Sequence, residues 1–144
     1  MHNEYEINEF VNPKGFGYCF NATDKCKYTL LFNNLGGDKF IFEFDKTESL
    51  DKNSINNKLI RDSICKVIYN FITANPERVI FIVYDNADYL DKARYRLFNI
   101  WFKHYNKSNY FKKMNILTSK QEIVSIIFMS NNVKFIKEIL YKDS

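Results

Sequence analysis

A chain of 144 residues, 46% apolar and 26% charged, is long enough to bury one core and too apolar to stay disordered. The formal net charge of +4 is modest, and no run approaches the roughly 18 apolar residues that a membrane-spanning helix needs. Three cysteines, an odd number without dense spacing, exclude a disulfide scaffold.

The opening residues, MHNEYEINEF, hold no basic start followed by an apolar run. The expectation is a cytoplasmic chain with free thiols and no membrane association. An edge strand is expected near residues 5–10, interrupted by Pro13 and Gly15. Residues 16–21 read as a strand, 22–25 as a turn and 26–33 as a second strand. The run Asn34-Leu35-Gly36-Gly37-Asp38 is a turn signal. In residues 39–45, Phe40, Phe42 and Phe44 alternate with Ile41 and Glu43, which is the period of a half-buried strand. These strands predict a three-stranded antiparallel meander.

A polar loop leads into a helix expected over residues 55–73, where Ile60, Ile64, Val67, Ile68 and Phe71 form one stripe. Asn75-Pro76 ends it. Residues 78–84 are rich in β-branched and aromatic residues on both faces and predict a central, doubly covered strand. A turn at 85–88 precedes a helix over 89–105, with Leu90, Ala93, Leu97, Phe98, Trp101 and Tyr105 on its apolar face. Strands are expected over 110–117 and 122–129. A last helix should run from Asn131 or Asn132 to about Tyr141, with Phe135, Ile136, Ile139 and Leu140 inward. The meander is thus followed by α-β-α-β-β-α. This predicts a single α+β domain over residues 1–144, a mixed sheet flanked by helices.

This order invites comparison with two enzyme folds. A ribonuclease-H-like arrangement also opens with three antiparallel strands, and Asp85 would sit at one metal-binding position. Its chemistry needs several converging carboxylates, and the first strand, FGYCFN, offers none. An acyl-CoA acetyltransferase grips pyrophosphate with a glycine-rich turn, and KTESLDKNSIN holds no glycine. The G-x-S-x-G, G-x-G-x-x-G, Walker and H-E-x-x-H patterns are absent. Cys19 and Cys26 are placed to face each other across the first hairpin, where a lone pair is core packing rather than a zinc site. No cofactor is expected.

The most informative stretch is VIFIVYDNADYLDKARYRLFNIWF, residues 79–102. Asp85 follows the central strand, and Asp88 is placed to cap the next helix, with Asp91 three positions on. Arg94 falls in the middle of the apolar stripe, where a guanidinium needs a partner, and Asp85 and Asp88 are nearest in sequence. Arg96 points away. Asp85, Asp88, Arg94 and Arg96 therefore form a candidate polar cluster, read either as an internal ion pair or as a pocket at the C-terminal end of a strand.

The spacing of Asp88, Arg94, Arg96, Leu97, Phe98, Trp101 and Phe102, behind a strand ending in Tyr84-Asp85, resembles a small Bacteroidota family of similar length, a domain of unknown function. Where that family often carries a glutamine, this chain has Asp91. The resemblance implies a bacterial origin and no particular chemistry.

Charge is uneven along the chain. Residues 1–54 carry nine acids and six bases, whereas residues 89–120 carry eight bases and one acid. Lys92, Arg96, Lys103, Lys107, Lys112, Lys113 and Lys120 form a candidate basic face, interleaved with Tyr95, Tyr105, Tyr110 and Phe111, of the kind that holds phosphates and stacks bases. Only four of the 21 basic residues are arginine, and Asn occurs eighteen times, a bias typical of AT-rich genomes that lowers the weight of any single lysine. The sequence favours a non-enzymatic protein acting through a protein partner or through self-association as a homodimer. The alternatives are a nucleic-acid-binding module using residues 92–120 and an enzyme with its site near Asp85, Asp88 and Arg94.

Overall fold

The computed structural model describes residues 5–21, 27–47, 58–84, 91–106 and 109–141; the side chains at 45–47, 91–95, 97 and 141 lie outside that description. One seven-stranded sheet carries three helices. In chain order the strands are β1 (Asn8–Asn12), β2 (Gly15–Asn21), β3 (Lys27–Gly36), β4 (Lys39–Thr47), β5 (Val79–Tyr84), β6 (Phe111–Leu117) and β7 (Ile123–Met129). The helices are α1 (Lys58–Ala74), α2 (Asp91–Tyr105) and α3 (Val133–Tyr141). The strands lie in the order β1-β2-β3-β4-β5-β7-β6. Only the β4–β5 pair is parallel, so the sheet is mixed, as expected. A parallel step needs a crossover, and α1 supplies it.

The meander has four strands, not three. Asn8–Asn12 pairs with β2 in a register that runs from Asn8↔Cys19 to Asn12↔Gly15, so Pro13 and Lys14 form the tip of a hairpin. Asn12 holds the tip: its Oδ1 accepts from the Lys14 N–H at 3.2 Å, and its Nδ2 donates to Asn33 Oδ1 at 2.9 Å. Gly15 is required by close approach, because a Cβ there would lie 2.0 Å from the Phe32 carbonyl oxygen. β3 continues past its expected end, through Asn34, to a bulge before Gly36. Asn34 makes this extension, accepting from Gly36 N–H at 2.9 Å and donating to Gly37 O at 3.0 Å.

The α1 and α2 face of the sheet holds the main core. Phe20, Tyr28, Leu30, Phe32, Phe40, Phe42, Ile80 and Ile82 meet Ile60, Ile64, Val67, Phe71 and Ile72 of α1 and Phe98 and Trp101 of α2. The alternation expected for Phe40, Phe42 and Phe44 is the observed one. The opposite face carries a smaller cluster, Val79, Val124, Ile126 and Phe128, closed by Phe135 of α3. β5 lies between β4 and β7; α1 and α2 cover one face, and on the other the α3 cluster takes Val79 and Phe81 but leaves Val83 38% exposed, so the double cover is partial. Asn132 caps α3, accepting from Phe135 N–H at 3.2 Å while its Nδ2 donates to the Glu77 carbonyl at 3.1 Å.

Two inward assignments change. Leu140 is 69% exposed, because it lies about 140° around the helix from Phe135 and α3 buries only a narrow stripe. Tyr105, at the end of α2, is 38% exposed. Among the described residues no helix is long and apolar enough to cross a membrane.

Candidate functional site

The sheet is wider than the helical layer on the α1 face, and a groove results. Glu9 and Tyr18 are cross-strand partners and so project to the same face. The chain before β1 runs over that face, with Tyr5 stacked on Phe20 at 5.4 Å. A groove of about 760 Å³ lies between residues 5–9 and Tyr18 on one side and the Lys66, Val67, Asn70, Phe71 and Ala74 side of α1 on the other. Lys66 to Ala74 spans about 12 Å of helix, which sets its length. Glu6 and Glu9 make the strand-side rim acidic; Lys66 and Arg78 make the helix side basic.

Arg78 is the most constrained polar group in the groove. Its guanidinium carbon lies 4.1 Å from the Phe71 ring centroid, 4.8 Å from Phe16 and 5.6 Å from Phe40. Nη1 donates to the Phe71 carbonyl oxygen at 2.9 Å, satisfying one acceptor near the C-terminal end of α1. Burial lowers the Arg78 pKa, with the Tyr18 and Asp38 charges acting in the other direction. An arginine remains charged at neutral pH all the same. The Tyr18 phenol is pushed up by burial, then by the Glu9 charge, with Arg78 opposing, so its hydroxyl is a donor at neutral pH. Groove, cation and hydroxyl together suit an anionic group attached to an apolar body.

A second feature lies under α2. A narrow slot of about 60 Å³ is walled by Cys65, Tyr69, Tyr84, Trp101, Phe102 and Phe111, with Lys113 of β6 entering it. Lys113 Nζ sits 5.2 Å from the Phe102 ring centroid. Burial lowers its pKa to about 8. Burial also pushes the Cys65 thiol up to about 12, seconded by the Asp62 charge and opposed by Arg61, so Cys65 is no thiolate nucleophile at neutral pH. Nearby, Tyr84 Oη donates to Ser125 Oγ at 3.2 Å, and Ser125 Oγ donates to Asn115 Oδ1. The buried Trp101 Nε1 has no hydrogen-bond partner among the described residues.

Of the sequence-predicted charged residues, Lys113 alone among those described lines either feature. Asp85, Asp88 and Lys107 lie outside the described residues, as do the side chains of Arg94 and Lys92. The expected pairing of Arg94 with Asp85 or Asp88 lies there too, and so does Cys26. Arg96 and Lys103 are exposed on α2, and Lys120 is exposed in the turn between β6 and β7. Lys112 and Lys113 are neighbours on one strand and so point to opposite faces. The described basic residues are therefore split between the two sides of the sheet. Sequence reasoning missed Arg78, although one of only four arginines among so many lysines, set at the mouth of a buried strand, was a usable signal. Among the described residues no three potential ligands gather to hold a metal ion. Comparison with protein-family models, curated proteins and solved structures finds no match.

Proposed function

We propose that this chain is a non-enzymatic binding module that holds a segment of a protein partner in the groove between β1 and α1. The observation that carries this reading is Arg78. Its guanidinium is clasped by three aromatic rings, spends one donor on Phe71, and has no carboxylate within 4.0 Å among the described residues. Such a cation, half-buried beside apolar walls, matches an acidic side chain flanked by apolar ones. The length of the groove fits three or four extended residues. Free thiols at Cys19 and Cys65 support a cytoplasmic setting. Nucleic-acid binding through residues 92–120 has less support, because Lys112 and Lys113 project to opposite faces.

Selection from a displayed peptide library against the whole folded chain tests this. Enriched peptides should share an acidic residue beside large apolar ones, and should bind the Arg78→Gln variant at least tenfold more weakly. Peptides that bind both proteins equally, or no enrichment at all, would overturn the proposal.

A further inference from the structure

We propose that the slot under α2 is a second, separate site, in which the Lys113 amine captures a small unbranched aldehyde as an imine. The slot is lined by aromatic rings, and Lys113 projects into it from β6. No carboxylate lies within 4.0 Å of that amine among the described residues, and its one neighbour of note is the Phe102 ring. Among the described residues, then, no carboxylate holds it as a salt-bridged ammonium. Trp101, 1% exposed, supplies part of the slot's apolar wall.

The chemistry balances without any further reactant. The amine lone pair adds to the carbonyl carbon while a proton passes from nitrogen to oxygen, giving the carbinolamine. Loss of water, which carries away the former carbonyl oxygen, leaves the C=N bond. Burial favours this step, since a lysine with a pKa of about 8 is neutral in roughly a tenth of molecules at pH 7. An ordinary lysine is neutral in about one in three thousand. The slot, about 60 Å³, admits only a short chain.

The test is reductive alkylation of the whole chain with limiting acetaldehyde and cyanoborohydride at pH 7, read by peptide mass spectrometry. Lys113 should be ethylated at least tenfold faster than Lys103, Lys112 or Lys120. Its lead should vanish in urea. It should also shrink at pH 10, where the other amines are neutral too. Trimethylacetaldehyde, too bulky for the slot, should show no preference for Lys113. Equal labelling of all four lysines in the folded protein would overturn the proposal. So would an equal preference for the bulky aldehyde, because the slot would then take no part.

Discussion

Arg78 and Phe71 meet twice: the guanidinium donates to the Phe71 backbone carbonyl at 2.9 Å and lies 4.1 Å from the centroid of the same residue's ring. This double contact ties the residue just before β5 to the last turn of α1 and fixes the basic wall of the groove. Arg78→Ala should cost about 1–3 kcal/mol, the sum of one charged hydrogen bond and the ring contacts. Arg78→Lys keeps the charge but not the planar fork, and should recover less than half of the loss. Urea unfolding of the three proteins measures both values.

The β1–β2 hairpin forms the outer part of the sheet beside the groove, and its glycines differ in what they can tolerate. At Gly15 a new Cβ meets backbone, the Phe32 carbonyl oxygen at 2.0 Å; at Gly17 it meets the Phe10 ring at 2.6 Å. Backbone in a ladder cannot yield, whereas Phe10 is 39% exposed and can swing outward. Gly15→Ala should therefore cost more than about 2 kcal/mol and Gly17→Ala about 1 kcal/mol or less. Equal losses in urea unfolding would show that the ring is as fixed as the backbone.

Most of the fold was legible because its elements carry strong local signals. Phe40, Phe42 and Phe44 keep a strict two-residue period, and the β-branched run of β5 marks a central strand, although Val83 at its far end stays 38% exposed. β1 was underrated because Pro13 and Gly15 look like breakers; in the structure the breakers are the turn itself, and pairing with β2 makes the strand. Leu140 was misplaced because a periodic pattern marks apolar positions without telling how wide a stripe the fold covers. The groove was not legible at all. It arises where the sheet extends beyond α1, and it joins residues 5–9 to Arg78, which no local pattern connects.

Asn132 is polar and buried, and both ends of its amide are used. Asn132→Ala removes the cap of α3 and leaves the Glu77 carbonyl without this donor. The expected cost is about 1–3 kcal/mol. Amide hydrogen exchange should accelerate in the first turn of α3 well before it does in β5. Uniform acceleration across both elements would show that α3 unfolds only with the whole domain.

Lys113 predicts a pH dependence of opposite sense to a salt-bridged lysine. Its folded pKa, about 8, lies below the ordinary value of 10.5, so between these two values the unfolded chain binds more protons than the native one. Stability should therefore rise with pH through this window on account of Lys113, the burial penalty being fully present below pH 8. Lys113→Met has no such group and should lose that part of the slope, while gaining stability at pH 7. Parallel urea curves for wild type and variant at pH 7, 8, 9 and 10 check this. A difference between them that does not change with pH would contradict it.

The proposed role of the groove is tested most directly by nuclear magnetic resonance mapping of a library-selected peptide on the uniformly ¹⁵N-labelled chain. Binding at the groove predicts that the largest amide shifts fall in residues 5–9, at Tyr18, along Lys66 to Ala74 and at Arg78, and that Arg78→Gln suppresses them together. The exposed edge of β6, with Ile116 44% and Leu117 69% exposed, is the competing surface. Shifts concentrated at Ile116, Leu117 and the basic residues of α2, and unchanged by Arg78→Gln, would contradict the account.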